Sequence, residues 1–212
     1  MTRRSLFAFF AASGFAAQRD SPVKKDDLYK IPADLPVPVD DGACKHLPGM
    51  KVPAITLVST AHRRINMEEI ARERTVIYCY PRTGIPGQEV PKGWNEIPGA
   101  RGCTPESCSF RDHYKQLREL RAQVFGLSTQ TTEYQQEMVA RLHLPFEVLS
   151  DAEFVFTNAL RLPTFQFDGV RLLKRLTLVF SEGKIEKVFY PVFPPDKHAE
   201  AVVAWLTKHP QH

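Results

Sequence analysis

The sequence predicts an α/β fold in which a central mixed sheet is flanked by helices. From residue 54 onward, short apolar runs of the kind that form buried strands alternate with segments of helical spacing. Near the end, two strand-like runs flank the sequence SEGK, which predicts an antiparallel hairpin and makes the sheet mixed. The 212 residues, 43% of them hydrophobic, suffice for one full core, and we expect no second independent domain.

The chain begins with a segment that has the parts of an export signal. Residues 1–17 lack acidic side chains and place Arg3 and Arg4 before an apolar stretch, an order similar to that of twin-arginine signals. We therefore expect export to the periplasm or another extracytoplasmic space, with a mitochondrial or a cytoplasmic location as the alternatives. The stretch is shorter than the roughly 20 apolar residues that span a bilayer, so no stable membrane anchor is expected.

Residues 18–53 are predicted to form an extended lead-in to the main domain, which occupies residues 54–212. The lead-in is rich in Pro, Asp and Lys and shows no sustained period, which is typical of irregular chain lying on a surface. Its one cysteine, Cys44, is either structural or reactive. Cys79, by contrast, lies within the apolar run TVIYCY and is predicted to be a small core residue.

The first part of the main domain is predicted to contain two strands and one helix. A short apolar run predicts a strand at residues 54–58, Asn66 can cap a helical turn at residues 67–74, and TVIYCY predicts a buried strand at residues 75–80. Frequent glycine and proline then exclude a regular element between Pro81 and Gly102. The sequence thus predicts a long loop in front of the next helix.

The second part continues the alternation. Apolar periodicity predicts helices at residues 105–121, 133–142 and 153–160, and short apolar runs predict strands at residues 123–128 and 146–149. The strands of the hairpin are LTLVF and KIEKVFY. The last helix, residues 196–208, places a stripe of apolar residues toward the core: Ala199, Val202, Val203 and Leu206.

The most informative stretch is GCTPESCSFRDHYKQLREL, which starts at Gly102. Thr104 can cap a helix, Pro105 suits its first position, and Glu106 lies in its first turn. The helix would therefore begin beside Cys103. Backbone N–H groups and the helix dipole favour an anion there, which predicts a stabilised, nucleophilic Cys103 thiolate.

A second cysteine, Cys108, follows five residues later in the same helix. It projects away from the apolar face that includes Phe110 and Leu117, which favours an accessible thiol over a core residue. Along an intact helix five residues rise by about 7.5 Å, beyond the Cα separation of roughly 7 Å that a disulfide tolerates. A bond between Cys103 and Cys108 therefore requires the first turns to unwind.

Several strings resemble the Q-type peroxiredoxins, also called the bacterioferritin comigratory protein group, in content and in order. They are YPRTG, GCTPESCSFRDHYKQL, VFGLSTQT, LPFEVLSD and LLKRLTLVF, and together the resemblance covers about residues 54–206. It implies a thioredoxin-like fold. It also places the family's peroxidatic cysteine on Cys103, its resolving cysteine on Cys108 and its active-site arginine on Arg175.

The resemblance implies a thiol-dependent peroxidase that reduces hydrogen peroxide or organic hydroperoxides. Cys103 would become a sulfenic acid, condense with Cys108 to a disulfide, and be reset by thioredoxin or another dithiol reductant. Arg175 would stabilise the thiolate and polarise the peroxide. The resemblance implies neither an organic cofactor nor a metal, and we expect a monomer or a weak dimer.

The 28 basic and 24 acidic residues are interspersed, so no nucleic acid partner is expected.

The chain departs from the family in front of the reactive cysteine. The family pattern is Pro-x3-Thr-x2-Cys, but here Pro81 lies 22 positions before Cys103 and Ala100 occupies the threonine position. The loop at residues 82–102 is thus an enlargement that is a candidate lid. Its Trp94 is either a wall of the pocket or a packing residue.

The missing threonine leaves the substrate contacts open. Thr83 and Thr104 are the two candidates for the hydroxyl that contacts the peroxide, and Glu106 is a further candidate for substrate binding. The sequence does not choose among them.

Two other functions compete with the peroxidase. A thioredoxin-like thiol–disulfide oxidoreductase normally separates its two cysteines by two residues, and the four intervening residues here disfavour it. A copper-binding redox module would use thiolates together with His113 or His143, since soft ligands suit Cu(I), but neither histidine has a recognisable ligand spacing.

Overall fold

The computed structural model describes residues 27–211. The predicted export signal, residues 1–17, and the first part of the lead-in lie outside the described residues. No helix within residues 27–211 is long and apolar enough to cross a membrane.

The main domain contains nine strands and six helices within the described residues. The strands are β1 (Thr56–Ser59), β2 (Arg64–Asn66), β3 (Thr75–Cys79), β4 (Gln123–Ser128), β5 (Val148–Ser150), β6 (Thr164–Phe167), β7 (Val170–Leu173), β8 (Leu176–Ser181) and β9 (Lys184–Phe189). The helices are α1 (Met67–Ile70), α2 (Cys103–Asp112), α3 (Tyr114–Glu119), α4 (Thr132–Leu142), α5 (Val155–Leu160) and α6 (His198–Lys208).

Seven strands form one mixed sheet in the order β2-β1-β5-β4-β3-β8-β9. The central strands β3, β4 and β5 are parallel, and β8 runs antiparallel to β3. The pair β6 and β7 is a separate hairpin. The predicted α/β architecture, a mixed sheet flanked by helices, is confirmed.

Alternate residues of the central strand β3 enter two different core clusters. Val76 and Tyr78 pack with Phe110 of α2, whereas Ile77 and Cys79 pack with residues from the other face of the sheet. This is the period of two that a strand covered on both faces requires. Cys79 is fully buried, as the sequence predicted.

Two predicted helices differ from the observed ones. The helix predicted at residues 67–74 ends at Ile70, although Asn66 caps it as expected, accepting a hydrogen bond of 3.0 Å from the Glu68 N–H. The helix predicted at residues 105–121 is two helices, α2 and α3, which meet at His113. There the imidazole Nδ1 lies 2.9 Å from the Ser109 carbonyl, so the side chain competes with the backbone for that acceptor.

The lead-in follows an irregular path but contributes to the core. Its one regular element is a 3₁₀ turn at Asp27–Tyr29 within the described part. Cys44 and Leu47 are buried in the core cluster that contains Ile77. Burial raises the pKa of the Cys44 thiol to about 12, which disfavours a reactive thiolate at this position.

Candidate active site

Cys103 is the first residue of α2 and is only 4% exposed. The sequence prediction was wrong by two positions, since it placed a cap at Thr104 and the first helical residue at Pro105. The cap is Gly102, whose φ of +102° is a conformation that other residues rarely adopt. A Cβ on Gly102 would also lie 2.4 Å from Cγ of Pro195. The helix therefore begins at Cys103, where first-turn N–H groups lack partners within the helix.

Arg175, which directly precedes β8, places its guanidinium against the Cys103 sulfur. Its Nη2 donates to Cys103 Sγ over 3.1 Å, and the side chain is almost fully buried. Nε and Nη2 also donate to the three carbonyl groups of residues 99–101, at 3.1–3.2 Å. The end of the long loop thus fixes the guanidinium, and its charge together with the helix N-terminus stabilises a thiolate.

The thiol form of Cys103 has a different partner. Sγ lies 3.6 Å from the Ala100 carbonyl oxygen, to which a thiol can donate. Ala100 stands where the family has threonine, so this position contributes a backbone oxygen and no hydroxyl.

Glu106 is fully buried behind Arg175 and pairs with Arg175 Nη1 through Oε2. Its Oε1 has no hydrogen-bond partner among the described residues. Burial raises the pKa of Glu106 to about 7, although the neighbouring Arg175 opposes the shift. Glu106 is not among the described residues that line the pocket, so its contact is with Arg175.

A small cavity of about 40 Å³ opens beside Cys103. Residues of the long loop, the start of α2 and the lead-in line it, among them Leu28, Thr83, Gly84, Trp94, Cys103 and Thr104. Both candidate threonines therefore face the same space as the cysteine. The structure brings together all the predicted site residues except Cys108, which lies one turn further along α2, and Glu106, which lies behind Arg175.

Trp94 is both a wall of this cavity and a packing residue. Its ring makes an edge contact with Phe167, with centroids 5.0 Å apart, and a tilted contact with Phe165 at 6.1 Å. It is also the centre of a third, small core cluster with Ala100 and Leu172. The β6–β7 hairpin, which the sequence analysis missed, therefore holds the enlarged loop in place.

Thr83 is fixed by two residues that the sequence analysis did not identify. Gln130 Oε1 accepts hydrogen bonds from the Thr83 N–H at 2.9 Å and from its hydroxyl at 3.3 Å. The Tyr134 hydroxyl donates to the Thr83 carbonyl at 2.8 Å. Both partners follow β4, about 50 positions away in the chain. Gln130 lies in the string VFGLSTQT, which carries the resemblance, but that string does not show its contact with Thr83.

Cys108 is partly exposed and its thiol is free. It packs against the edge of the core cluster that contains Tyr78 and Phe110, so it is less open than the sequence suggested. Burial raises the pKa of the Cys108 thiol, and the nearby Arg111 partly offsets the shift. Cys103 and Cys108 both lie in the intact helix α2.

The described residues do not favour a metal centre. Within residues 27–211, no group of three or more His, Cys, Asp or Glu residues is placed to hold a metal ion. His113 is engaged with the Ser109 carbonyl, and His143 ends α4 in a left-handed conformation. Neither histidine supports the copper-binding alternative.

Comparisons with known proteins show the family of the chain. The chain matches the family model described as Redoxin over residues 47–203. It is 26% identical over 158 residues to "Peroxiredoxin Q, chloroplastic" from Sedum lineare, covering 74% of this chain and 76% of that protein. It is 25% identical over 163 residues to "Peroxiredoxin Bcp" from Escherichia coli (strain K12), covering 74% and 93%.

The fold is also found in a solved structure. The crystal structure of peroxidoxin BcpB from Mycobacterium tuberculosis matches with a TM-score of 0.62 at 24% identity, covering 78% of this chain and 100% of that chain. This likeness confirms the predicted thioredoxin-like fold.

Proposed function

Since the chain belongs to the Redoxin family and is a thiol-dependent peroxidase of the peroxiredoxin Q type, we propose that Cys103 attacks the peroxide and that Cys108 resolves the product. The observation that carries the proposal is the contact of 3.1 Å between Arg175 Nη2 and Cys103 Sγ. It lies at the N-terminus of a helix and beside a cavity, where an activated and reachable thiolate is needed.

In the first step, the Cys103 thiolate attacks one oxygen of the peroxide, ROOH. An S–O bond forms and the O–O bond breaks, so that the sulfur is oxidised and the peroxide is reduced. The leaving alkoxide or hydroxide takes a proton and departs as ROH or water. Arg175 stabilises the thiolate before the step and the negative oxygen during it.

In the second step, the Cys108 sulfur attacks the sulfenic sulfur of Cys103. An S–S bond forms, the S–O bond breaks, and the oxygen leaves as water. Because both residues belong to α2, the first turns of that helix must unwind before the sulfur atoms can meet. A dithiol reductant then exchanges with the disulfide and returns both thiols.

A mass measurement tests the pairing. One equivalent of hydrogen peroxide is added to the reduced protein, free thiols are blocked after denaturation, and the tryptic peptide of residues 102–111 is weighed. We expect an unblocked peptide that is lighter by two hydrogens, because it contains both Cys103 and Cys108. The peptides that contain Cys44 and Cys79 are the internal control and should remain blocked. A doubly blocked peptide after oxidation would contradict the proposed pair.

For the peroxide contact, we propose the hydroxyl of Thr104, while Thr83 shapes the loop. Gln130 already engages the Thr83 hydroxyl, whereas Thr104 is adjacent to Cys103 in the first turn of α2. We expect Thr104→Val to lower the rate constant of Cys103 oxidation by about 10²-fold, as for loss of one preorganised donor. Thr83→Val should lower it by less than about threefold. Single-turnover kinetics with hydrogen peroxide measures both, and the opposite order would assign the contact to Thr83.

For the reductant we propose a thioredoxin-type dithiol protein, and for the chain a monomer or a weak dimer without a stable membrane anchor. The partial exposure of Cys108 supports attack by an external thiol at this position. Turnover supported by glutathione but not by thioredoxin would contradict the first proposal, and a stable dimer in sedimentation would contradict the second.

We also propose that the protein is exported. The support is the composition of residues 1–17, with Arg3 and Arg4 before an apolar stretch that lacks acidic residues. N-terminal sequencing of the protein from its native source tests this, and retention of Met1 would contradict it.

A further inference from the structure

The lead-in lies across the loop that forms the Cys103 pocket. It meets the loop at three glycines, each facing a different apolar side chain. A Cβ on Gly84 would lie 2.8 Å from Cδ2 of Leu28, and one on Gly102 would lie 3.6 Å from Cδ1 of Ile31. The third contact is between Pro38 and Gly99. Residues 28–38 precede the segment that matches the family, residues 47–203, so these contacts are not part of the matched domain.

Leu28 is the lead-in residue that lines the pocket itself. It belongs to the short 3₁₀ turn Asp27–Tyr29. The following residue anchors that turn, because the Tyr29 hydroxyl accepts a hydrogen bond of 3.1 Å from Arg141 Nη1 and the Arg141 guanidinium lies over its ring. The Leu28 side chain is thereby held against Gly84 at the edge of the cavity.

The cavity that remains is small. About 40 Å³ has room for a molecule of a few heavy atoms, since a cavity of about 10–15 Å³ already holds one water. Hydrogen peroxide has two heavy atoms and fits this space. An aromatic or branched substituent is too large for this space and would lie at its rim, which includes Leu28.

The walls differ in how firmly they are held. Trp94 is packed between the aromatic rings of the β6–β7 hairpin, and Thr83 is hydrogen-bonded to Gln130 and Tyr134. Leu28 is held by apolar contact from a three-residue turn and is partly exposed. Leu28 therefore borders the cavity on a side that solvent also reaches, where the substituent of a larger peroxide would lie.

We propose that Leu28, seated on Gly84, is a specificity-determining residue that restricts the Cys103 pocket to small peroxides and disfavours bulky organic hydroperoxides. This inference rests on the proposed role of Cys103 as the residue that attacks the peroxide. It makes the lead-in a part of the substrate site.

The test compares two peroxides on the full-length chain. Single-turnover rate constants for Cys103 oxidation are measured with hydrogen peroxide and with cumene hydroperoxide. We expect Leu28→Ala to raise the ratio of the cumene to the hydrogen peroxide rate constant by about tenfold, the scale at which one or two methylene groups discriminate in a pocket.

Two matched variants serve as controls. Leu28→Met conserves side-chain volume and should keep the wild-type ratio. Val37→Ala removes an apolar side chain from the same lead-in, where it is 62% exposed and outside the pocket, and should also keep the ratio. Circular dichroism of each variant confirms that it folds.

The results of this test distinguish a failure of the proposed role of Leu28 from a failure of the proposed role of Cys103. An unchanged ratio in Leu28→Ala, or an equal fall of both rate constants, would overturn the role of Leu28 in selection. If neither peroxide oxidises Cys103 in the wild-type protein, the proposed role of Cys103 itself fails.

Discussion

Cys103→Ser is expected to abolish peroxidase turnover, with a loss of at least about 10³-fold. A serine hydroxyl at the start of α2 is not ionised near neutral pH, so the interaction with Arg175 has no anion to stabilise. Turnover of hydrogen peroxide in the presence of a dithiol reductant measures the loss.

Cys108→Ser is the matched comparison for Cys103→Ser. It keeps the attacking thiol and removes the resolving one, so Cys103 should still react once and accumulate as a sulfenic acid that a dimedone-type reagent traps. Sustained turnover by Cys103→Ser would show that another thiol attacks the peroxide.

Arg175→Met is expected to lower the rate constant of Cys103 oxidation by about 10²- to 10³-fold, because it removes the preorganised charge next to Sγ. The same change leaves Glu106 buried without its partner, and removal of one member of a buried pair typically reduces the free energy of unfolding by about 3–5 kcal/mol. Single-turnover kinetics and denaturant unfolding measure the two effects separately.

A double variant distinguishes catalysis from stability at this pair. Arg175→Met together with Glu106→Gln removes both charges, so it should recover much of the lost stability. The slow oxidation of Cys103 should persist, since the positive charge is still missing. If the double variant regained the oxidation rate as well, Arg175 would be a structural residue only.

Parts of the fold followed from local patterns. The run QVFGLS predicted β4 at residues 123–128, and the structure has it at Gln123–Ser128. The terminal hairpin was equally clear, because SEGK separates two strong apolar runs. In both places local propensity and burial favour the same conformation.

The β6–β7 hairpin was missed although its signal is present. Asp168 and Gly169 join the two strands, and both have positive φ, at 50° and 73°. An Asp-Gly pair between apolar residues is a strong hairpin signal. The break between α2 and α3 is different, because the apolar spacing continues through His113 and no helix-breaking residue marks it.

The site was only partly predictable. That a helix begins close to Cys103 followed from the local sequence, although the predicted start was two positions late, and the role of Arg175 came from resemblance. Gln130 and Tyr134 hold Thr83 through hydrogen bonds that depend on how the strands and helices pack. Local sequence patterns do not predict that packing. The contact of Leu28 with Gly84 could not be predicted for another reason. A glycine in a long loop is usually there because a turn requires it, not because a distant side chain packs against it.

The contact between the lead-in and the loop glycines has an evolutionary consequence. A mutation at position 84 that adds a side chain collides with Leu28, and a larger residue at position 28 needs the space above Gly84. Selection on the two positions is therefore linked, and in descendants of this chain they should vary together. Lineages that lose the lead-in would release position 84 from that restraint, whereas position 99 would still favour glycine because of its left-handed backbone. Position 102 would still require glycine, because Pro195 and the left-handed backbone act on it independently of the lead-in.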